Sequence, residues 1–133
     1  MIEKTLPALN QIGVDKISFI YCDRSQKSFK LNFEKMNKIL INSCEQCGRD
    51  NLMKLELLNS LKEAKKLYKN FVVLDFGGKK ITKDIKSILV GCEGGFSLED
   101  KKILQDHQIV AFESDLILKS ETACLAISSK ILI

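Results

Sequence analysis

The apolar positions of this chain change their spacing several times, and each change predicts an element. Between Glu3 and Ile12 they recur at helical intervals and stop at Gly13, a residue type that ends helices by taking a left-handed conformation, so a first helix is expected there. Alternation then takes over, and Ile17, Phe19 and Tyr21 would share one face of a strand over Lys16–Tyr21. Phe33, Met36, Ile39, Leu40 and Cys44 return to steps of three and four, which predicts a second helix over Phe33–Gln46 closing at Gly48. The same criterion applied to Leu57, Leu58, Leu61, Ala64 and Leu67 predicts a single helix over Leu55–Lys69. Three short apolar runs, Phe71–Phe76, Ser87–Val90 and Ile109–Phe112, read as strands. A helix over Leu98–His107 separates the last two, and a final helix runs from about Lys119 into Lys130. Helices alternating with short apolar strands predict an α/β fold, a mostly parallel sheet with helices on both faces.

Composition narrows the class without naming an activity. A chain of 133 residues with 45% apolar content can bury one real core, and no linker or repeat divides it, so one domain over 1–133 is expected. No apolar run reaches the roughly 18 residues of a membrane-spanning helix. Charges and Pro7 interrupt the first thirteen positions where a signal peptide needs a continuous apolar stretch, so the expected setting is cytoplasmic, away from membranes. The net charge of +4, from 21 basic and 17 acidic residues, gives a mild preference for a polyanionic partner.

The cysteines argue against two further classes. Five of them, Cys22, Cys44, Cys47, Cys92 and Cys124, form an odd and scattered set unlike a secreted disulfide framework. Cys44 and Cys47 make a C-x-x-C, but no second ligand pair accompanies them and His107 is the sole histidine, so no metal is expected. A redox pair belongs at the start of a helix that follows a strand, whereas this one falls at a helix end beside Gly48. Cys44 is therefore read as a helix-face residue, with a thiol-based redox protein kept as a rival.

The most informative stretch is Ile88–Ser97, ILVGCEGGFS. An apolar strand runs into Gly91, Gly94 and Gly95, which would let a ligand lie against bare backbone, and Ser97 with Asp100 forms a Ser-x-x-acid cap for the next helix. Ligands of open α/β sheets sit at such places, between the carboxyl end of a strand and the amino end of a helix. The glycine spacing G-x-x-G-G matches neither the dinucleotide fingerprint nor the phosphate-binding loop, which argues against a nicotinamide cofactor or a nucleoside triphosphate.

A second strand–break–helix junction follows about twenty residues later at Phe112–Ala123, FESDLILKSETA. Together the two resemble the paired signature of the 16S small-subunit ribosomal RNA uridine-N3 methyltransferases, a family of the SPOUT superfamily with the pattern G-P-E-G-G-[FL]-S and then L-G-x-x-I-L-R-x-E-T-A. Glu45-Gln46-Cys47-Gly48-Arg49 is similar to the family's E-Q-[SC]-G-R, and Gly13-Val14-Asp15 to the turn after its first helix, so the likeness spans almost the whole chain. The departures are Cys92 for proline, Lys119 for arginine and Glu113-Ser114 for Leu-Gly. Lysine in place of arginine gives up a planar two-pronged donor, and losing a glycine at Ser114 narrows a cofactor loop.

The resemblance implies a SPOUT-type methyltransferase domain with a carboxyl-terminal trefoil knot, S-adenosylmethionine as cofactor, 16S ribosomal RNA as partner and a homodimer serving ribosome biogenesis. Family members carry a PUA-like RNA-binding barrel ahead of this domain, and the chain opens at Met1 almost directly in the domain's first helix. Backbone at Leu74, Val90, Gly91, Gly94, Gly95, Glu113, Ser114 and Leu118 would hold the cofactor. Lys119 would offset charge growing on the uracil carbonyls, and Glu93 and Glu121 are the candidate bases or orienting groups. Arg24 and Arg49, the only arginines, are candidate RNA-phosphate contacts. The apolar end Ile131-Leu132-Ile133 suits a dimer contact, or burial within the same subunit. A non-catalytic RNA-binding or assembly module of the same fold is the alternative that the changes at Lys119 and Glu113-Ser114 allow.

Overall fold

The computed structural model describes residues 2–21, 31–92, 94–114 and 118–133. Ten elements follow in chain order: α1 (Ile2–Ile12), β1 (Lys16–Ile20), α2 (Phe33–Cys47), β2 (Lys54–Leu58), α3 (Leu61–Leu67), β3 (Val72–Lys80), β4 (Ile88–Val90), α4 (Leu98–Ile103), β5 (Ile109–Ala111) and α5 (Ser120–Leu132). The described strands form two parallel sheets, β1 with β2 and the triple β4-β3-β5.

Local chemistry accounts for most of the boundaries. Gly13 and Gly48 end α1 and α2 at φ 108° and 75°, a left-handed region that residues with a side chain rarely enter. Asn32 caps α2 by accepting from the Lys35 N–H at 3.0 Å.

The segment expected as one helix over Leu55–Lys69 divides into β2 and α3. Ser60 marks the division, because its Oγ accepts the Glu63 N–H at 3.1 Å while Glu63 Oε2 accepts the Asn59 N–H at 2.9 Å. That reciprocal cap starts a helix at Leu61, and the five residues before it pair in register with β1, Lys54 opposite Lys16 through Leu58 opposite Ile20. The α4 helix stops at Ile103, four residues short of the expected His107.

Helices cover both faces of the three-stranded sheet, as alternation along its strands shows. Val73 and Leu89 point into a cluster with Leu61, Phe71, Phe96 and Leu104, on the side of α3 and α4. Their neighbours Val72, Leu74, Ile88 and Val90 point the other way, into a cluster with Val110 and Ile127 of α5. A third cluster packs α1 and α2 through Leu6, Leu9, Met36 and Leu40 against Met53, which precedes β2, and against Ile17, Phe19 and Leu55 of the two-stranded sheet.

β3 is longer than the apolar run predicted and leaves its own ladder partway. Leu74 and Lys79 both take Val110 as register partner, so Asp75–Gly78 steps out and rejoins β5 at the same rung. Gly78 lies so close over β5 that a Cβ there would stand 2.6 Å from the Val110 carbonyl carbon, and only glycine fits this crossing.

Candidate functional site

Two sequence-predicted positions, Leu74 and Val90, stand level in the triple sheet. Leu74 of β3 is paired with Val90 of β4 on one side and with Val110 of β5 on the other. The chain leaving Val90 enters the glycine loop directly, and the chain leaving β5 passes Phe112 to reach Glu113 and Ser114, both exposed.

The glycine loop is braced from within. The Gly95 N–H donates to the Cys92 carbonyl at 2.8 Å, the Cys92 thiol reaches the Gly95 carbonyl at 3.5 Å, and Gly95 sits at φ 74°. Cys92, standing where the family pattern has proline, thus closes the turn with its own side chain. A Cβ on Gly91 would come within 3.2 Å of the buried Phe96 ring, so the first glycine lets the loop fold onto that ring. Ser97 and Asp100 cap α4 reciprocally at 3.1 Å each, with Asp100 only 2% exposed, which fixes the loop's exit. Gly94 is exposed and nothing lies within 4 Å of where a Gly95 Cβ would point, so loop backbone faces open space.

The second loop is tied to the first by a residue that sequence reasoning missed. Ser120, first residue of α5, donates from Oγ to the Gly91 carbonyl at 2.7 Å. The K-S-E-T-A match covers this serine, but nothing in the spacing shows that it reaches back to the glycine loop. Lys119 is the helix N-cap residue, exposed and without a side-chain cap hydrogen bond, while its carbonyl accepts the Ala123 N–H at 2.8 Å. Leu118 is half-buried beside it.

Glu121 lies in the first turn of α5, where a carboxylate suits the helix dipole. Burial first, and the Glu121 charge second, push the Cys124 thiol up to about 11, so that thiol stays protonated at neutral pH. Glu93 and Arg24 lie outside the described residues.

Arg49 bonds to Asn10, Val14 and Asn51, none of which belongs to the two loops. Its Nη1 donates to the Asn10 carbonyl at 2.9 Å, to Asn10 Oδ1 at 2.8 Å and to the Val14 carbonyl at 2.9 Å, and the side chain is 13% exposed. It fastens the end of α1 to the end of α2 rather than facing solvent. Cys44 accepts from Asn10 Nδ2 at 3.4 Å on the inner side of α2, and Cys47 is exposed. Among the described residues no three metal-binding side chains gather. The fold also leaves a groove of about 340 Å³ beside Asn70, Ser87 and Gln108, at the amino ends of the strands and thus opposite the glycine loop.

What this arrangement offers is braced, open loop backbone at the carboxyl ends of parallel strands, the kind of place where ligands of such sheets bind. A family model described as an RNA methyltransferase domain matches residues 1–132. The ribosomal RNA small subunit methyltransferase E of Helicobacter pylori is 44% identical over 134 residues, covering 96% of this chain and 59% of its own length. A Legionella pneumophila structure, titled as a methyltransferase in complex with bound S-adenosylmethionine, is 26% identical with a TM-score of 0.77, covering 96% of this chain and 58% of that one. The Neisseria gonorrhoeae ribosomal RNA small subunit methyltransferase E bound to S-adenosylmethionine shares the fold at a TM-score of 0.77 and 23% identity, with 96% and 58% covered. The chain spans a little under three fifths of the length of these relatives.

Proposed function

The chain belongs to the RNA methyltransferase domain family, and from that premise we propose that it transfers the methyl group of S-adenosylmethionine to N3 of a uridine in small-subunit ribosomal RNA. The observation that carries the reading is the 2.7 Å bond from Ser120 to the Gly91 carbonyl, which joins the two loops carrying the family signature into one cradle. The braced glycine loop, with Gly94 exposed and open space beside Gly95, fits a cofactor held by backbone. Leu74, Val90, Gly91, Gly94 and Gly95 would hold it on one side and Glu113, Ser114 and Leu118 on the other. The chemistry supplied there is an electrophilic methyl group on a sulfonium.

The protein's own work is then placement and charge. Fixing the two loops against each other sets the methyl acceptor in line and removes the orientational cost of a bimolecular step. Lys119, exposed at the rim, offsets negative charge that builds on the uracil carbonyls as N3 loses its proton. Glu121 and Glu93 are the carboxylates proposed to orient the base or to accept that proton. The homodimer belongs to the same proposal, supported by Leu132 and Ile133, which are 49% and 74% exposed in a single chain.

The test is methylation of a 16S RNA fragment with isotope-labelled S-adenosylmethionine, followed by identification of the modified nucleoside. The expected product is 3-methyluridine, with turnover in Lys119→Ala reduced more than cofactor affinity. A different methylated nucleoside would replace the N3 assignment. Tight cofactor binding and RNA binding with no product would favour the non-catalytic module, a reading to which the exposed Glu113-Ser114 pair lends support.

A further inference from the structure

Phe76 is 66% exposed, an unusual cost for an aromatic side chain on a strand whose other apolar residues are packed. Its backbone is held firmly. The Phe76 N–H donates to its neighbour Asp75 Oδ1 at 2.8 Å, Gly77 is left-handed at φ 75°, and Gly78 is pressed onto the Ile109–Val110 peptide. Phe76 is therefore displayed by a crossing that cannot easily tuck it away. It comes two residues after Leu74, the position level with Val90 at the mouth of the glycine loop. Lys79 and Lys80 follow directly, both exposed, and neither has an ion-pair partner among the described residues.

We propose that Phe76 is a stacking platform for a base of single-stranded RNA, with Lys79 and Lys80 contacting the phosphates on either side, so that the crossing of β3 over β5 presents the nucleic acid to the cofactor cradle. The inference rests on the RNA reading above and names the surface that would serve it. Charge complementarity selects this occupant: an aromatic ring followed by two unpaired cations on a chain of net charge +4 suits a stacked base flanked by phosphates. Every base has a π-face, so the platform would grip RNA near the site without reading its sequence. An aromatic side chain with two rotatable bonds on a backbone already held in place loses little freedom on binding, which favours its use as an anchor.

The experiment is fluorescence anisotropy of a labelled, uridine-containing single-stranded RNA 12-mer, titrated with the 133-residue protein and its variants across a series of salt concentrations. Phe76→Ala is expected to weaken binding about tenfold with an unchanged salt slope, and Phe76→Tyr to retain it. Lys79→Ala with Lys80→Ala should lower the slope of log affinity against log salt by about 1.4, two phosphate contacts on a single strand. Cofactor affinity and the unfolding midpoint of Phe76→Ala should match the parent, since the removed ring is exposed. Parent-like RNA affinity in Phe76→Ala would overturn the platform and leave the RNA reading standing. A parent protein that binds cofactor but no RNA would overturn both. Loss of a dimer in Phe76→Ala, seen by sedimentation, would assign the ring to a second copy instead and overturn the proposal.

Discussion

Polar side chains are used in opposite ways at the two parts of this molecule. Beside α1, α2 and the two-stranded sheet, Arg49 and the Lys16–Glu56 pair bond to other groups of the chain. Arg49 holds three internal acceptors, and Asn10 passes the network on by donating to Ser43 Oγ at 3.1 Å. On the same part, Lys16 donates to the Tyr68 hydroxyl at 2.6 Å and pairs with Glu56 at 3.1 Å, while the Ser18 and Tyr68 hydroxyls both donate to Glu56 Oε1. Where the triple sheet ends the loop is built of backbone, and Lys119 stands exposed with no cap hydrogen bond. The difference separates two situations that a sequence shows alike, charge that holds the fold and charge left in solvent. Arg49 Nη1 already has three acceptors of the chain in place.

The largest effect expected from this contrast is on stability. Arg49→Ala should cost about 3 kcal/mol in chemical denaturation, because it takes the guanidinium donor from the Val14 carbonyl and from Asn10 Oδ1 and removes charge-assisted bonds, yet leave cofactor affinity unchanged. An Arg49→Ala protein of parent stability that has lost RNA affinity would erase the distinction between the regions. Ser120→Ala sharpens it from the other side. Losing its bond to Gly91 should cost only about 1 kcal/mol of stability, but calorimetry should show a several-fold drop in cofactor affinity as the two loops separate.

A smaller effect is expected from pH. Hydrogen bonds from Ser18 and then Tyr68 hold the Glu56 carboxyl below its ordinary value of 4.5, so its contribution is present above that value and is lost as pH falls through the depressed one. Tyr68 and then Glu56 raise Lys16 above its ordinary 10.5, so its contribution is complete below that value and is lost only as pH rises through the raised one. Glu56→Gln should flatten the fall of the unfolding midpoint below about pH 4.5, with the cofactor site unaffected. Both groups are accessible to solvent, so the change is small. An acid arm of unchanged steepness would remove Glu56 from the network.

The thiols give the mildest test. At pH 8 exposed Cys47 should react with a disulfide reagent well before Cys124, whose thiol burial pushes up to about 11. Replacing Cys44 and Cys47 by serine should leave cofactor affinity within about threefold and the purified protein free of stoichiometric zinc. Zinc bound one-to-one would restore a metal role to the pair.

How much of this was legible in the sequence followed how local the cause is. The glycine loop and its Ser97–Asp100 cap were readable because a few consecutive residues specify both, and the structure describes the cap as expected. The division of Leu55–Lys69 was signalled by Ser60 and Glu63, yet the leucine spacing fits a helix so well that the cap inside it passed unnoticed. The extension of β3 to Lys80 depends on Gly78 meeting a strand some thirty residues away, which no periodicity carries. For Arg49 the sequence left a phosphate contact and a structural role equally open, because its acceptors on Asn10 and Val14 are distant along the chain. Ser120 was hidden for the same reason, its partner Gly91 being distant in sequence.

The account turns on the glycine loop as a cofactor cradle, and calorimetry with S-adenosylmethionine on the parent chain and on Gly94→Val tests it most directly. A valine at the exposed Gly94 would fill the space the cofactor needs without disturbing the packed side of the loop. The account predicts one-to-one binding by the parent and no measurable binding by Gly94→Val, with the unfolding transition of the variant still cooperative. Equal affinity in the two proteins, or no binding heat from the folded parent, would contradict it.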